Sequence, residues 1–210
     1  MLSVQTDYPI AKDSVDHLHP RGTKQDNTTC SAFVEAFADP IWSSYLDLGC
    51  AGGGLVKQFH DAGTLAVGIE GSDYGRVHQF AEWATIPECL FTADLTKPFR
   101  VLNDGQPLLF RLVTAWEVLE HIQEESVPQL LSTIRGHLEV GGYFLGSISR
   151  VSDYVENIEY HCTLHQPDWW DQQFLNASMV PDPAMYLTIE PKWPRGTTGS
   201  ASFPVAYRAV

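Results

Sequence analysis

A short apolar run that empties directly into glycines restricts this chain more than any other feature. Ser44–Leu48 reads S-Y-L-D-L, and Gly49-Cys50-Ala51-Gly52-Gly53-Gly54 follows at once. Glycines let a backbone turn tightly and approach a ligand closely, and a helix starting behind them offers N–H groups without intrahelical partners. Residues 55–62 carry that helix, ended by Gly63. Apolar runs then recur at 64–69, 89–92, 110–115 and 143–148. Helical stretches are expected at 75–84 and at 127–138, where Val127, Leu130, Leu131, Ile134 and Leu138 share one face before Gly141-Gly142 closes the helix. Strands alternating with helices specify an α/β fold. Runs that are continuously apolar fit a mostly parallel central sheet with helices on both faces.

The two ends read differently. Residues 1–30 are polar and broken by Pro9, Pro20 and Gly22. A short helix over 29–38 follows, capped by Thr28 or Thr29 and stopped before Pro40. The chain therefore divides into an N-terminal segment, 1–43, and a main domain, 44–210. Residues 17–27 can fold over a cleft as a lid, with Arg21 meeting a carboxylate of a cofactor or substrate, or can form a free tail. After Arg150, a helix is expected at 168–174 and strands at 185–189 and 203–209. Those two strands would make an antiparallel C-terminal hairpin at a sheet edge, with the Gly-, Pro-, Ser- and Thr-rich stretch 190–202 as its loop.

Composition narrows the partners. A net charge of -13 over 210 residues repels phosphate backbones and disfavours nucleic acid. The N-terminus lacks the pattern of a secretory signal, and no stretch is long and apolar enough to span a membrane. Cys30, Cys50, Cys89 and Cys162 form no C-x-x-C pair. A reduced, cytoplasmic protein is the expectation.

An acidic residue, Glu70, closes the second apolar run about 20 residues beyond the glycine turn, the spacing at which a carboxylate reaches a ribose hydroxyl pair in nucleotide-binding α/β folds. The run D-L-G-C-A-G-G, then G-I-E-G-S-D, T-A-D-L and W-E-V-L-E-H-I, all within 44–148, resembles class I S-adenosylmethionine-dependent methyltransferases. That resemblance implies a Rossmann-like fold and S-adenosyl-L-methionine as cofactor. It implies that Asp47, Gly49, Cys50, Ala51 and Gly53 surround the methionine part, and that Glu70 takes the ribose hydroxyls with Gly71 alongside. Asp94 and Leu95 would meet the adenine, and Trp116 and Glu117 would lie near the sulfonium. Ala51 stands where the family pattern has its middle glycine. A nicotinamide enzyme is the competing reading, but its G-x-G-x-x-G turn finds only Gly49, Ala51 and Gly54 here. The missing second glycine is the one that admits a pyrophosphate, which S-adenosylmethionine lacks.

Methyl transfer needs alignment of the acceptor, exclusion of water and, for an oxygen or nitrogen nucleophile, a base. His121, His161 and His165 are the candidates. The spacing of His161 and His165 also suits two metal ligands on one helix face, but no third ligand is evident and Pro167 limits the helix, so no metal is expected. Trp169 and Trp170 either wall a pocket or pack. Ala115-Trp116-Glu117-Val118 is not the N/D-P-P-Y/F of DNA amino-methyltransferases, no Pro-Cys pair of cytosine-C5 enzymes occurs, and the acids fit a catechol-type metal site poorly. The expected reaction is methylation at O or N of a small-molecule or glycan-type acceptor. A protein or peptide acceptor, or a non-catalytic cofactor-binding subunit, are the alternatives.

Overall fold

The computed structural model describes residues 1–37, 39–195 and 201–210. In chain order it runs β1 (Leu2–Gln5), α1 (Val15–Leu18), α2 (Ser31–Ala36), β2 (Ser44–Leu48), α3 (Gly54–Asp61), β3 (Leu65–Glu70), α4 (Tyr74–His78) and β4 (Leu90–Thr92). It continues through β5 (Arg100–Asn103), β6 (Gln106–Pro107), β7 (Phe110–Trp116), α5 (Val127–His137), β8 (Leu138–Ser149), β9 (Tyr154–Val155) and β10 (Ile158–Glu159). It closes with α6 (Pro167–Asn176), β11 (Met179–Pro181), α7 (Pro183–Ile189) and β12 (Ser202–Ala209).

A seven-stranded sheet in the order β11-β12-β8-β7-β2-β3-β4 organises the chain. Contacts from β4 through to β8 are parallel, and β12 and β11 add antiparallel strands at one edge. The chain leaves β2 toward β3 on one side and returns at β7 on the other. The strand order therefore reverses between β2 and β7, which is where open α/β sheets bind ligands. Register puts the site residues level: Leu48 pairs with both Ile69 and Ala115, so Gly49, Glu70 and Trp116 emerge together at the carboxyl edge.

Period-two alternation sorts each strand between two cores. Leu46, Leu48, Val67, Ile69 and Val113 face α5 and α6, with Trp170 and Phe174 behind them. Tyr45, Ala66 and Leu112 face α2 and α3, with Phe33, Phe37 and Phe59. Helices therefore cover both faces. No described helix is long and apolar enough to cross a membrane.

Several sequence expectations need correction. Residues 185–189 are not a strand but lie in α7, because Pro183 starts a helix whose Asp182 carboxylate caps Met185 N–H at 2.9 Å. The edge partner of β12 is β11 instead. The helix expected at 75–84 breaks at Gln79, which adopts φ 49°, and resumes as a 3-10 turn over Ala81–Ala84. Neither Thr28 nor Thr29 caps α2, which follows Cys30 with no side-chain cap. Strand β8 already begins at Leu138, before Gly141-Gly142. The N-terminal stretch is not irregular throughout: β1 pairs antiparallel with β5. Of the loop expected at 190–202, residues 196–200 lie outside the described residues, as does Ala38 of the helix expected at 29–38.

Strands β7 and β8 approach so closely that a Cβ on Gly146 would lie 2.2 Å from the Ala115 carbonyl oxygen. Only backbone could yield there. Gly146→Ala is expected to cost about 2–3 kcal/mol by overpacking, a fall of roughly 5–10 °C in the midpoint of thermal unfolding followed by circular dichroism.

Asp47 lies in the same buried layer. Its Oδ1 accepts from Thr114 Oγ1 at 2.6 Å, and Thr114 Oγ1 lies 2.8 Å from Tyr45 Oη. Burial pushes the Asp47 carboxyl up to about 7, against the bonds from Thr114 and Tyr45. Its folded-state value lies above the ordinary one, so between about pH 4 and 7 the native state binds the extra proton and this group's contribution falls as pH rises. Urea unfolding across that range is expected to show a downward slope that Asp47→Asn reduces.

Candidate functional site

The glycine turn is built from left-handed residues. Gly49, Ala51 and Gly53 adopt φ of 71°, 45° and 87°. Ala51 bears a Cβ in a region that costs an L-residue about 1–2 kcal/mol, so the surroundings must hold it. They do so from both sides: Ala51 N–H donates to Glu70 Oε2 at 2.9 Å, and Trp83 Nε1 donates to the Ala51 carbonyl at 2.8 Å. Gly49 and Cys50 N–H both reach the Ile69 carbonyl, which ties the turn to the end of β3.

Glu70 is the hub. It is buried, and its Oε1 accepts from Ser72 N–H at 3.1 Å while Oε2 holds Ala51. Burial raises its carboxyl, and the amides of Ser72 and Ala51 oppose that rise. Each carboxylate oxygen accepts two bonds, so acceptor capacity remains for a ligand.

A cavity of about 770 Å³ opens beside it. Gly49, Ala51, Glu70 and Gly71 line one end, with Asp94 and Leu95 from the turn after β4. Asp94 Oδ1 accepts from Thr96 N–H and Oγ1, which orients its carboxylate. Trp116 and Glu117 line the middle. Glu117 adopts φ 56°, a strained backbone for a non-glycine residue. Its Oε2 accepts from Ser202 Oγ at 2.5 Å, while Oε1 is buried without a hydrogen-bond partner among the described residues. Asp47, Cys50 and Gly53 are not in the lining. Asp47 turns to Thr114, the Cys50 sulfur packs toward Gly68, and Gly53 precedes α3, against Leu90.

His121 and His161 line the far end, with ring centroids 4.8 Å apart. His121 stands in a 3-10 turn, Leu119–His121, beyond β7. Its Nδ1 lies 3.0 Å from Asp16 Oδ2, off the alignment of a hydrogen bond. Burial lowers its pKa, but the carboxylates of Asp16, Glu120 and Asp153 outweigh that and leave it raised. Glu120 beside it is fully buried, and burial takes its carboxyl to about 7 despite the attraction of His121. His165 is not in the lining: its Nε2 lies 2.9 Å from Glu124 Oε2 and its ring stacks on Trp169. Neither Trp169 nor Trp170 lines the cavity.

The N-terminal segment covers this cleft. Ala11 N–H donates to the Gly71 carbonyl, Asp94 N–H to Tyr8, and Gly52 N–H to Asp26, each at 2.9 Å. Arg21 lines the cavity, pairs with Asp153 and stands 4.9 Å over the Tyr160 ring. Asp16, Thr23 and Asp153 also line the cavity and escaped the sequence reading. They sit in no motif, and the one local signal was the polar, breaker-rich composition of 17–27.

A Cβ on Gly52 would meet the Asp26 carbonyl and Asn27 Oδ1, both at 2.7 Å. Gly52→Ala is therefore expected to lift the N-terminal segment off the turn. Limited proteolysis should cut within residues 10–29 at least about tenfold faster, with the rest of the domain intact.

Comparison with known proteins agrees with this geometry. A family profile described as a methyltransferase domain matches residues 22–185. No curated protein sequence matches significantly. Among solved structures, the CcbJ methyltransferase of Streptomyces caelestis is similar over 98% of this chain and 100% of its own, with a TM-score of 0.60 and 15% identity. An S-adenosylmethionine-dependent methyltransferase of Clostridium acetobutylicum matches 93% of this chain and 96% of its own, with a TM-score of 0.61 and 12% identity. The magnesium protoporphyrin IX methyltransferase of Synechocystis, solved with bound SAH, matches 85% and 80%, with a TM-score of 0.57 and 15% identity.

The residues present fit a sulfonium nucleoside. Glu70 offers acceptors for hydroxyl donors, and Thr23 Oγ1 and Glu117 Oε1 are buried polar atoms in lining residues with no hydrogen-bond partner among the described residues. The chain belongs to the methyltransferase-domain family, and it is an S-adenosylmethionine-dependent methyltransferase.

Proposed function

We propose that this enzyme methylates an oxygen or nitrogen of a small-molecule or glycan-type acceptor bound between Trp116 and the His121–His161 pair. The observation that carries the reading is the shape of the cavity. Its volume of about 770 Å³ lies within the roughly 300–1,000 Å³ of small-ligand pockets. The N-terminal segment and residues 153–162 cover it. That space suits a cofactor with a small acceptor better than a folded polypeptide.

In this reading the carboxyl ends of the strands divide the work. Glu70 accepts from the ribose hydroxyls, and Asp94 and Leu95 take the adenine edge. Gly49 and Ala51 hold the methionine part, with Arg21 near its carboxylate. S-adenosylmethionine supplies an activated methyl group on sulfur. The protein then has to align the nucleophile with that methyl and keep water out. Trp116 and Glu117 wall the transfer region. His121 and His161 are the groups at the acceptor end able to act on its O–H or N–H bond. The part of the N-terminal segment ahead of α2 serves as the lid, and its contacts through Asp26, Asp16 and Arg21 make closure depend on both ends of the site.

Two measurements test this. Glu70→Ala removes acceptors for two hydroxyl donors and is expected to weaken S-adenosylmethionine binding at least about 30-fold by calorimetry, since hydrogen bonds to charged groups are worth about 1.5–3 kcal/mol. Glu70→Gln, which keeps an acceptor oxygen, should lose less. For the acceptor, a screen with radiolabelled methyl donor should label small hydroxyl- or amine-bearing compounds. Labelling confined to protein would contradict the reading.

A further inference from the structure

We propose that Glu120, His121 and His161 form a binding site for a first-row divalent metal ion at the acceptor end of the cavity. The proposal deepens the function proposed above and rests on its reading of which end takes the acceptor. One donor atom from each of the three residues lies within 4.8 Å of the others. Two imidazoles and one carboxylate suit zinc, iron, cobalt or manganese better than magnesium or calcium, which prefer oxygen ligands throughout.

Three independent features point to a cation. The first is the Glu120 carboxylate, which is fully buried: Oε1 accepts from Ser149 N–H at 3.0 Å, while Oε2 has no hydrogen-bond partner among the described residues. An unmatched carboxylate oxygen in a low-dielectric interior is costly unless a positive group meets it. The second is the orientation of the rings. His161 Nδ1 lies 2.6 Å from the Val151 carbonyl, which can only accept, so Nδ1 carries the proton and Nε2 keeps its lone pair. His121 Nδ1 lies 3.0 Å from the Asp16 carboxylate, a close charge contact outside hydrogen-bond alignment that places an anion behind this ring. A carbonyl or carboxylate behind the second ring nitrogen is the usual support of a metal-ligating histidine.

The third feature is how the segments are joined. Glu120 and His121 follow β7, whereas His161 comes from the chain beyond β10. Cys162 and Thr163 N–H both donate to the Glu120 carbonyl, at 2.7 and 3.0 Å, so the two segments are fixed together at this point. Metal–ligand bonds of about 2.0–2.2 Å place tetrahedral donors about 3.4 Å apart. The three donors therefore have to draw together by at most about 1.4 Å when an ion binds. His121 and His161 line the cavity, so an open coordination position would face the acceptor. A cation there withdraws charge from an acceptor oxygen. With Nε2 on the ion, His121 and His161 would act on the acceptor O–H through it rather than as free bases. The proton would leave to bulk solvent at the cavity mouth, the oxygen–methyl bond would form, and the methyl–sulfur bond would break with its electron pair going to sulfur.

The test needs neither cofactor nor acceptor. Chelator-treated full-length protein is titrated with Co²⁺, followed by visible absorption, and with Zn²⁺, followed by calorimetry. One equivalent is expected to bind at micromolar or lower concentration. His161→Ala should weaken binding at least about 30-fold and Glu120→Gln at least about tenfold, with His165→Ala unchanged. If Glu120→Gln fails to fold by circular dichroism, the surface-reaching His161 variant carries the test alone. Absence of saturable one-to-one binding in the wild type, or equal binding in His161→Ala, would overturn the proposal. If metal binds but S-adenosylmethionine does not, the functional reading fails and the metal site stands.

Discussion

Glu70 holds the site together. Its carboxylate sits at the end of β3 and takes the Ala51 amide from the turn after β2 and the Ser72 amide from its own strand's exit. Without that acceptor, nothing on this side would hold a left-handed alanine. The parallel pairing of β2 with β3 places Gly49 and Glu70 at one level, so sheet register and loop conformation depend on each other. The same carboxylate keeps capacity to accept from a ligand. In the proposed reading, structure and binding both draw on this one buried charge.

The opposite end of the cavity is assembled from more distant parts of the chain. Asp16 arrives from the N-terminal segment, His121 from the exit of β7 and His161 from beyond β10. Their convergence depends on the chain running over the carboxyl edge twice, once before β2 and once after β8. The N-terminal run is fastened at intervals, by β1 on β5 and by single amide bonds from Ala11 to Gly71, from Asp94 to Tyr8 and from Gly52 to Asp26. Between β1 and α2 no apolar side chain anchors it by full burial, and α1 contains no buried residue. A segment held mainly by separate polar contacts can open locally without unfolding the sheet, as the proposed lid requires.

Legibility in the sequence followed the range of the forces involved. Strands β2, β3, β4 and β7 were readable because parallel strands buried on both faces must be apolar throughout. Gly49, Ala51, Glu70, Asp94 and Trp116 were legible as residues lining one cavity because they lie just past those strands. Asp47, Cys50 and Gly53 shared the motif but do not line the cavity: Asp47 is a strand residue bonded to Thr114, and the tight turn sends Cys50 and Gly53 away from the cleft. The helix at 183–189 was read as a strand because Met185, Tyr186, Leu187 and Ile189 suit either period over so short a run, and the deciding signals, Pro183 and the Asp182 cap, lie upstream. The 161/165 spacing suits two metal ligands on one helix face, a reading set aside for want of a third ligand and because of Pro167. The structure keeps these histidines ahead of α6 and brings His161 to Glu120 and His121 instead, a long-range pairing that no local spacing encodes.

The most direct test is a crystal structure with S-adenosylhomocysteine. The ribose hydroxyls are expected within hydrogen-bonding distance of the Glu70 carboxylate, the adenine beside Asp94 and Leu95, and the sulfur directed past Trp116 toward His121 and His161. A nucleoside bound elsewhere, or a Glu70 carboxylate turned away from a ligand lying in the cleft, would contradict the account.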